Sequence, residues 1–393
     1  MPTPSTRIRS LTGGDDGWSV FHRAAALKAA GAPVLDLTIG EHDIATAPDI
    51  LDEMHRAARA GHTGYAAVPG IAPLRAAVAE RLSARHGRSY DAENVLITPG
   101  GQAALFAAHH AACDEGDRAL LIEPYYATYP GTIRAVGAVP VPVAARAADG
   151  FQPDLDALGA AAPGAASLLI NTPNNPAGAV YAEDRLRGIA GLAEAHDLWL
   201  ISDEVYDTQV WSGRHLSPAA LPGMAPRVLT VGSLSKSHAM TGSRLGWVAG
   251  PAEVIAAMID LATHTTFGVP GYIQEAGLLA LSRGPAAEAE VAAPFRRRRA
   301  LLLERIAGQA GLRAVPSEGA MYVMLDIRAT GLSGTAFAEA LLEDAGVAVM
   351  PGESFGPAAA GHVRVALTLP DARFTDAIDR LIAFARSAAG APA

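Results

Sequence analysis

Short apolar runs alternate along most of this chain with longer, alanine-rich stretches whose apolar side chains recur at helical spacing. The runs Val95–Thr98, Ala119–Ile122, Val139–Val143, Ser167–Asn171, Leu198–Ser202, Val228–Val231 and Gly246–Ala249 are predicted as strands. The first six are mostly apolar on both faces and bounded by Gly, Pro, Asn or Asp. That is the pattern of a largely parallel sheet covered by helices. Ala103–Ala112, Glu183–His196 and, after the last strand, Ala252–His264 are predicted as helices. The alternation implies an α/β architecture with right-handed crossovers, built on a mainly parallel seven-stranded sheet.

The pattern changes near Gly284-Pro285. A long helix carrying Arg296–Arg299 follows, then an apolar run at Met321–Asp326, a helix near Gly334–Ala345, and runs at Val347–Met350 and His362–Leu367. This reads as a smaller α+β domain (residues 285–393) beside a large domain (residues 41–284), with residues 1–40 packing against the small one. A length of 393 residues suits two domains.

Composition narrows the classes. Half of the residues are hydrophobic and 18% are charged, which is enough apolar material for a packed core. A net charge of −9 argues against non-specific nucleic-acid binding, so the four consecutive arginines read as a solvated helix face. The single cysteine, Cys113, excludes an intrachain disulfide framework and fits a reducing compartment. No signal-like segment opens the chain and no apolar run is long enough to span a bilayer, so a cytoplasmic protein without a membrane partner is expected. His109 and His110 are adjacent rather than ligand-spaced, and no metal is expected.

Ligands of open α/β sheets bind beyond the carboxyl ends of the strands, so the polar residues there carry the candidate chemistry. Lys236 sits in Ser233-Leu234-Ser235-Lys236, with Arg244 shortly after. A desolvated lysine near another cation loses its proton more easily, and hydroxyls with a guanidinium can hold a phosphate. Thr98-Pro99-Gly100-Gly101-Gln102 ends a strand and opens a helix, where free amides bind anions. Asp203 follows an apolar strand and calls for a cationic partner, with Tyr206 three residues on. Asn175 lies in the turn Asn171-Thr172-Pro173-Asn174-Asn175-Pro176-Ala177-Gly178, and Arg364 lies inside the apolar run His362–Leu367. Each segment alone also has an ordinary reading as a polar loop, a tight turn, a capping aspartate or an edge-strand arginine.

Taken together, the segments resemble the fold-type I, class I/II pyridoxal-phosphate-dependent aminotransferases, most nearly the bacterial aspartate aminotransferase-like branch. The resemblance runs from about Leu35 to Leu369 and rests on Asn174-Asn175-Pro176-x-Gly178, Ser202-Asp203-Glu204-Val205-Tyr206, Ser233-x-Ser235-Lys236, Arg244-Leu245-Gly246 and Arg364. It implies pyridoxal 5'-phosphate as cofactor, and amino transfer from an L-amino acid to a 2-oxo acid by a ping-pong route through a Schiff base at Lys236. It also implies that Asp203 holds the ring nitrogen, that Tyr206 and Asn175 hold the ring oxygen, and that Tyr126 stacks on the ring. Gly101, Gln102, Ser233, Ser235 and Arg244 would hold the phosphate. Gly40, Asn175 and Arg364 would bind the substrate carboxylate. Tyr65 would reach the phosphate of the neighbouring subunit in a homodimer with shared sites.

The chain departs from the family pattern at His42 in Gly40-Glu41-His42-Asp43, at Ser243, and near Gly13 and Gly17. Leu11–Ser19 offers Asp15, Asp16 and Trp18 but no cation, and Thr263–Pro270 offers His264 and Phe267. A neutral or aromatic substrate side chain is therefore expected, unless a protonated His42 or His264 serves a second carboxylate. The rival readings are C–S β-elimination or decarboxylation on the same cofactor and, further off, a non-enzymatic cofactor-binding regulator.

Overall fold

The computed structural model describes residues 2–12 and 18–390. After a two-residue strand β1 (Leu35–Asp36), the predicted runs become β2 (Val95–Thr98), β3 (Arg118–Glu123), β4 (Val139–Ala144), β5 (Ala165–Asn171), β6 (Trp199–Asp203), β7 (Val228–Ser233) and β8 (Gly246–Ala249). These seven form one sheet in the order β2-β8-β7-β6-β5-β3-β4. Pairing is parallel from β7 through β4, and β8 runs antiparallel to both β2 and β7. Alternate residues of the central strands enter different cores. Leu168, Ile170 and Leu200 pack on one face, and Leu169, Ile201 and Leu229 on the other. Burial on both sides is why these strands read as unbroken apolar runs.

β4 departs from that expectation. It is the sheet edge, and its Val139 is 48% exposed. The Val139 and Ala145 amides face β3, donating to Asp117 and Glu123 carbonyls, so Pro140 and Pro142 lie at positions facing away from the ladder. An edge tolerates prolines there because no donor is needed.

The remaining strands are β9 (Arg313–Ala314), β10 (Tyr322–Asp326), β11 (Val347–Ala348), β12 (Met350–Pro351) and β13 (His362–Ala366). A four-stranded antiparallel sheet, β12-β13-β10-β9, is covered by the helices Gly334–Ala345 and Asp371–Ala388, and β1 pairs in parallel with β11. The packing expected of residues 1–40 divides. Val20, Ala24, Leu35 and Leu37 join the core of this second sheet. Arg7 instead pairs with Glu115, and Arg134 donates to the carbonyl of Leu11, so the first residues lie against the large sheet's helices. Among the described residues no helix is long and apolar enough to cross a membrane.

Candidate active site

The carboxyl ends of β5, β6 and β7 open on a cavity of ≈ 280 Å³. Parallel strands deliver their terminal side chains to one side, so residues distant in sequence meet there. Gly40, Gly101, Gln102, Tyr126, Asn175, Asp203, Tyr206, Ser233, Ser235, Lys236, Arg244 and Arg364 all line it. Tyr65 does not. It is 93% exposed, with its ring edge-on to Phe267 at 5.2 Å.

Lys236 stands in the single turn Leu234–Ser237 that follows β7, and its Nζ donates to the carbonyl of Gly40. Burial lowers its pKa to about 8; Glu41 opposes this, and Arg364 and Arg244 add to it. An amine in that range is far more often free at neutral pH than a solvated lysine.

Asp203 ends β6 and is buried. Its Oδ2 accepts a 2.6 Å hydrogen bond from the Tyr129 hydroxyl, and its Oδ1 accepts from the Val205 amide at 3.2 Å. Burial pushes its pKa up to about 6, against those two bonds. No cation contacts it among the described residues.

Arg364, from β13, is 1% exposed. Its Nη1 donates to Asn175 Oδ1 at 2.8 Å and its Nη2 to the carbonyl of Thr38, while Nε is buried without a partner. The guanidinium carbon lies over the rings of Tyr322 at 4.4 Å and Phe355 at 4.5 Å. The hydrogen-bond and ring partners of this cation are all neutral, and no carboxylate of the described residues pairs with it. Asn175 is fixed in turn by its backbone N–H, which donates to Asn171 Oδ1 at 2.7 Å. Its oxygen is committed to Arg364, which leaves the amide nitrogen for a ligand.

At the far side the helix Gly101–Ala112 begins directly after β2, two residues earlier than the pattern predicts. Gly100 has φ of 82°, and a Cβ there would stand 2.2 Å from Arg244 Nη2. Only glycine lets that guanidinium lie over the helix start. Arg244 itself adopts φ of 51° and donates to the Thr241 carbonyl at 2.8 Å. Free amides of a helix start, an arginine and the Ser233 and Ser235 hydroxyls make an anion cradle.

His42 Nε2 lies 3.1 Å from the carbonyl of Lys236, and burial together with the Lys236 charge lowers its pKa to about 4. The ring is thus held in its neutral form at physiological pH in the ligand-free site. Asp15 and Asp16 lie outside the described residues, and Trp18 lines the cavity mouth with Ile39 and Glu41. A neighbouring cavity of ≈ 940 Å³ shares the walls Trp18, Gln102 and Arg244 and is lined by Arg134.

Sequence reasoning missed Tyr129, Tyr322, Phe355 and Glu41. Tyr322 sits in the apolar run Met321–Asp326 and reads there as core, and Tyr129 lies in a Thr-Tyr-Pro-Gly segment that carries no chemical signature. The available signal was the hydroxyl itself, because a tyrosine buried in a strand or helix needs a hydrogen-bond partner.

The chain matches the family model described as aminotransferase class I and II over residues 32–381. It is 43% identical over 358 residues to the arginine–pyruvate transaminase AruH of Pseudomonas aeruginosa, covering 91% of each chain. It is 39% identical over 367 residues to the aspartate/prephenate aminotransferase of Thermus thermophilus, covering 92% of this chain and 94% of that one. Among solved structures, the aspartate aminotransferase from Thermus thermophilus with maleate superposes with a TM-score of 0.91 at 37% identity, covering 98% of this chain and 100% of that one.

Proposed function

Because this chain belongs to the class I and II aminotransferases, we propose that its cavity binds pyridoxal 5'-phosphate and moves the amino group of an L-amino acid to a 2-oxo acid there. The observation that carries the reading is a pair of buried, opposite charges in one cavity, each without an ionic partner: Asp203 and Arg364. Buried charges are costly until something supplies the counter-charge. The cofactor's pyridinium nitrogen suits Asp203, and an amino acid's α-carboxylate suits Arg364 in bidentate fashion.

The residues fit the rest of the group. Lys236 would hold it covalently, and Gly101, Gln102, Ser233, Ser235 and Arg244 would hold the phosphate. Tyr126 would stack on the ring, and Tyr206 with Asn175 would meet its oxygen. When bound, pyridoxal phosphate supplies an electron sink that acidifies the Cα proton of the amino acid. Asp203 keeps the ring nitrogen protonated. Lys236, with its proton affinity reduced by burial, takes up and gives back a proton at Nζ. Arg364, Asn175 and the backbone at Gly40 orient the substrate by its α-carboxylate.

The exposed pair Tyr65 and Phe267 suits a homodimer face from which Tyr65 reaches a partner's phosphate site, and a cytoplasmic enzyme is part of the same reading. A cavity mouth of Trp18, Ile39 and Glu41 with a neutral His42 favours neutral or aromatic side chains over a second carboxylate.

The test is a panel of amino acids added to the loaded enzyme without an oxo acid, scored by the cofactor's absorbance. Alanine and phenylalanine are expected to react. A kcat/KM preference for aspartate above about a hundredfold, roughly 2.7 kcal/mol, would overturn the substrate class and point to Arg134. Lys236→Ala is expected to fold, to bind cofactor non-covalently and to lose transamination. The chain holds only one other lysine, Lys28, which pairs with Asp36 at 3.0 Å, so borohydride trapping gives a clear map. Cofactor fixed at Lys28, or near-native turnover in the variant, would sink the assignment.

A further inference from the structure

Tyr322 belongs to no role assigned so far, yet it touches both recognition ends of the cavity. It lies on β10, whose register sets Tyr322 opposite Ala366 and Met324 opposite Arg364. Arg364 is thus its diagonal cross-strand neighbour, within reach of an aromatic ring. Arg364 Cζ lies over the Tyr322 ring at 4.4 Å from its centroid and over the ring of Phe355 at 4.5 Å. The Tyr322 hydroxyl is 2.9 Å from the hydroxyl of Tyr206, whose ring stands edge-on at 5.8 Å. The same hydroxyl fills the space beside Gly40, where a Cβ would come within 1.8 Å of it. Gly40 in turn offers its carbonyl to Lys236 Nζ.

Resting on the reading of the site given above, we propose that Tyr322 is a positioning residue with two separable actions. Its ring fixes the plane of the Arg364 fork, and its hydroxyl orients the phenol of Tyr206. A guanidinium is planar, and packing on two rings fixes the orientation of that plane, which presets bidentate capture of a carboxylate. Phenylalanine would fill the same core position, so packing alone does not call for the oxygen. A buried hydroxyl is favoured only when it is hydrogen-bonded, and the partner it finds is the residue expected at the cofactor's ring oxygen. When Tyr322 donates to Tyr206, the Tyr206 proton is left to point at that ring oxygen and stabilise its negative charge. Tyr206 also faces Tyr126 and Arg364, and neither of these engages its hydroxyl in a hydrogen bond.

The experiment compares wild type, Tyr322→Phe and Tyr322→Met, each loaded with cofactor. Two quantities are read: the pH midpoint of the resting enzyme's visible absorbance change, and KM for the amino acid that reacts best in the panel. Tyr322→Phe keeps the ring and is expected to move the midpoint upward by about 0.3 to 1 unit, the size of one ordinary hydrogen bond. Its KM is expected to stay within about twofold. Tyr322→Met keeps the volume without the π-face and is expected to raise KM about tenfold besides moving the midpoint. A midpoint unmoved within about 0.1 unit in Tyr322→Phe would overturn the proposal, and so would a KM unchanged in Tyr322→Met. Thermal melts check folding, and Tyr322→Phe, which loses a single oxygen, decides the case if the methionine variant does not fold. Failure of the parent reading looks different: wild type itself would then show no pH-dependent absorbance or no response to amino acids.

Discussion

Asp203 and Glu204 are consecutive in the chain, equally buried at 4% and 5% exposure, and electrically opposite in their surroundings. Neighbouring side chains at a strand end point to opposite sides, so the two carboxylates enter different parts of the molecule. Glu204 finds everything it needs there. Its Oε1 accepts from Ser202 at 2.8 Å and Ser217 at 2.7 Å, and its Oε2 lies 3.0 Å from His215 and 3.7 Å from His86. Burial pushes its pKa up, but the two imidazoles outweigh that and hold its carboxyl well below the usual range. Asp203 has the Tyr129 hydroxyl and one amide, and burial wins. A carboxylate completed by its own chain is a structural group. One left short by a whole charge marks where a ligand's charge belongs.

Exchanging each acid for its amide gives the largest contrast. Asp203→Asn is expected to lower the half-reaction rate at least about a thousandfold, worth roughly 4 kcal/mol, with the fold intact. Glu204→Gln is expected to do the reverse. It removes the anion from the polar group formed with Ser202, Ser217, His86 and His215, at a cost of about 1–3 kcal/mol, while the folded fraction keeps its rate within about tenfold. Denaturant titration and single-turnover absorbance separate the two. A rate loss below about tenfold in Asp203→Asn would mean that this carboxylate is not the ring partner.

The pair also shows what a sequence makes legible. Asp203 and Arg364 stand out because a polar side chain ends or interrupts an apolar strand, Lys236 because it stands alone among small hydroxylated residues, and Asn175 because two prolines and a glycine fix its turn. Glu204 directly follows that of Asp203, but its partners, His86 and His215, come from elsewhere in the chain and carry no local signal of it. Tyr322 is hidden for a different reason: an aromatic residue among apolar ones satisfies the packing pattern whatever its hydroxyl does. The strands and their alternation with helices were readable from periodicity. The exposure of β4 was not, because position at a sheet edge is a tertiary fact. Nor did periodicity separate Arg7 to Leu11 from Val20 to Leu37, which pack on different parts of the fold.

The two acids should also leave opposite marks on stability against pH in the cofactor-free protein. Asp203 has a raised folded pKa of about 6, so between pH 4 and 6 the folded state binds more protons than the unfolded one, and its contribution to stability falls as pH rises. The penalty is complete above pH 6 and amounts to roughly 2–3 kcal/mol. Glu204 has a depressed folded pKa, so its contribution is complete above the unfolded value and is lost as pH falls below about 4. Cofactor-free Asp203→Asn should therefore exceed wild type in stability at pH 7 and match it near pH 4. Glu204→Gln should fall short at pH 7 and approach wild type in acid. Parallel stability profiles for the two variants would erase the distinction between the acids.

The smallest effect tests the one partner Asp203 does have. The Tyr129 hydroxyl donates to Oδ2 at 2.6 Å, so it favours the ionised form without supplying a charge. Tyr129→Phe removes that donor and keeps the ring, which packs edge-on to Tyr126 at 5.6 Å. Asp203 is then expected to hold its proton to higher pH, and the falling limb of the cofactor-free stability profile should extend upward from pH 6. On the proposed reading, Asp203 in the loaded enzyme would take most of its stabilisation from a cationic ring nitrogen. Cofactor affinity is accordingly expected to weaken only about tenfold, near 1.4 kcal/mol, as for one hydrogen bond to a charged group. A loss as large as that of Asp203→Asn would show that the tyrosine, not the ligand, completes the aspartate, and would place Asp203 with Glu204 among the acids whose partners the chain supplies.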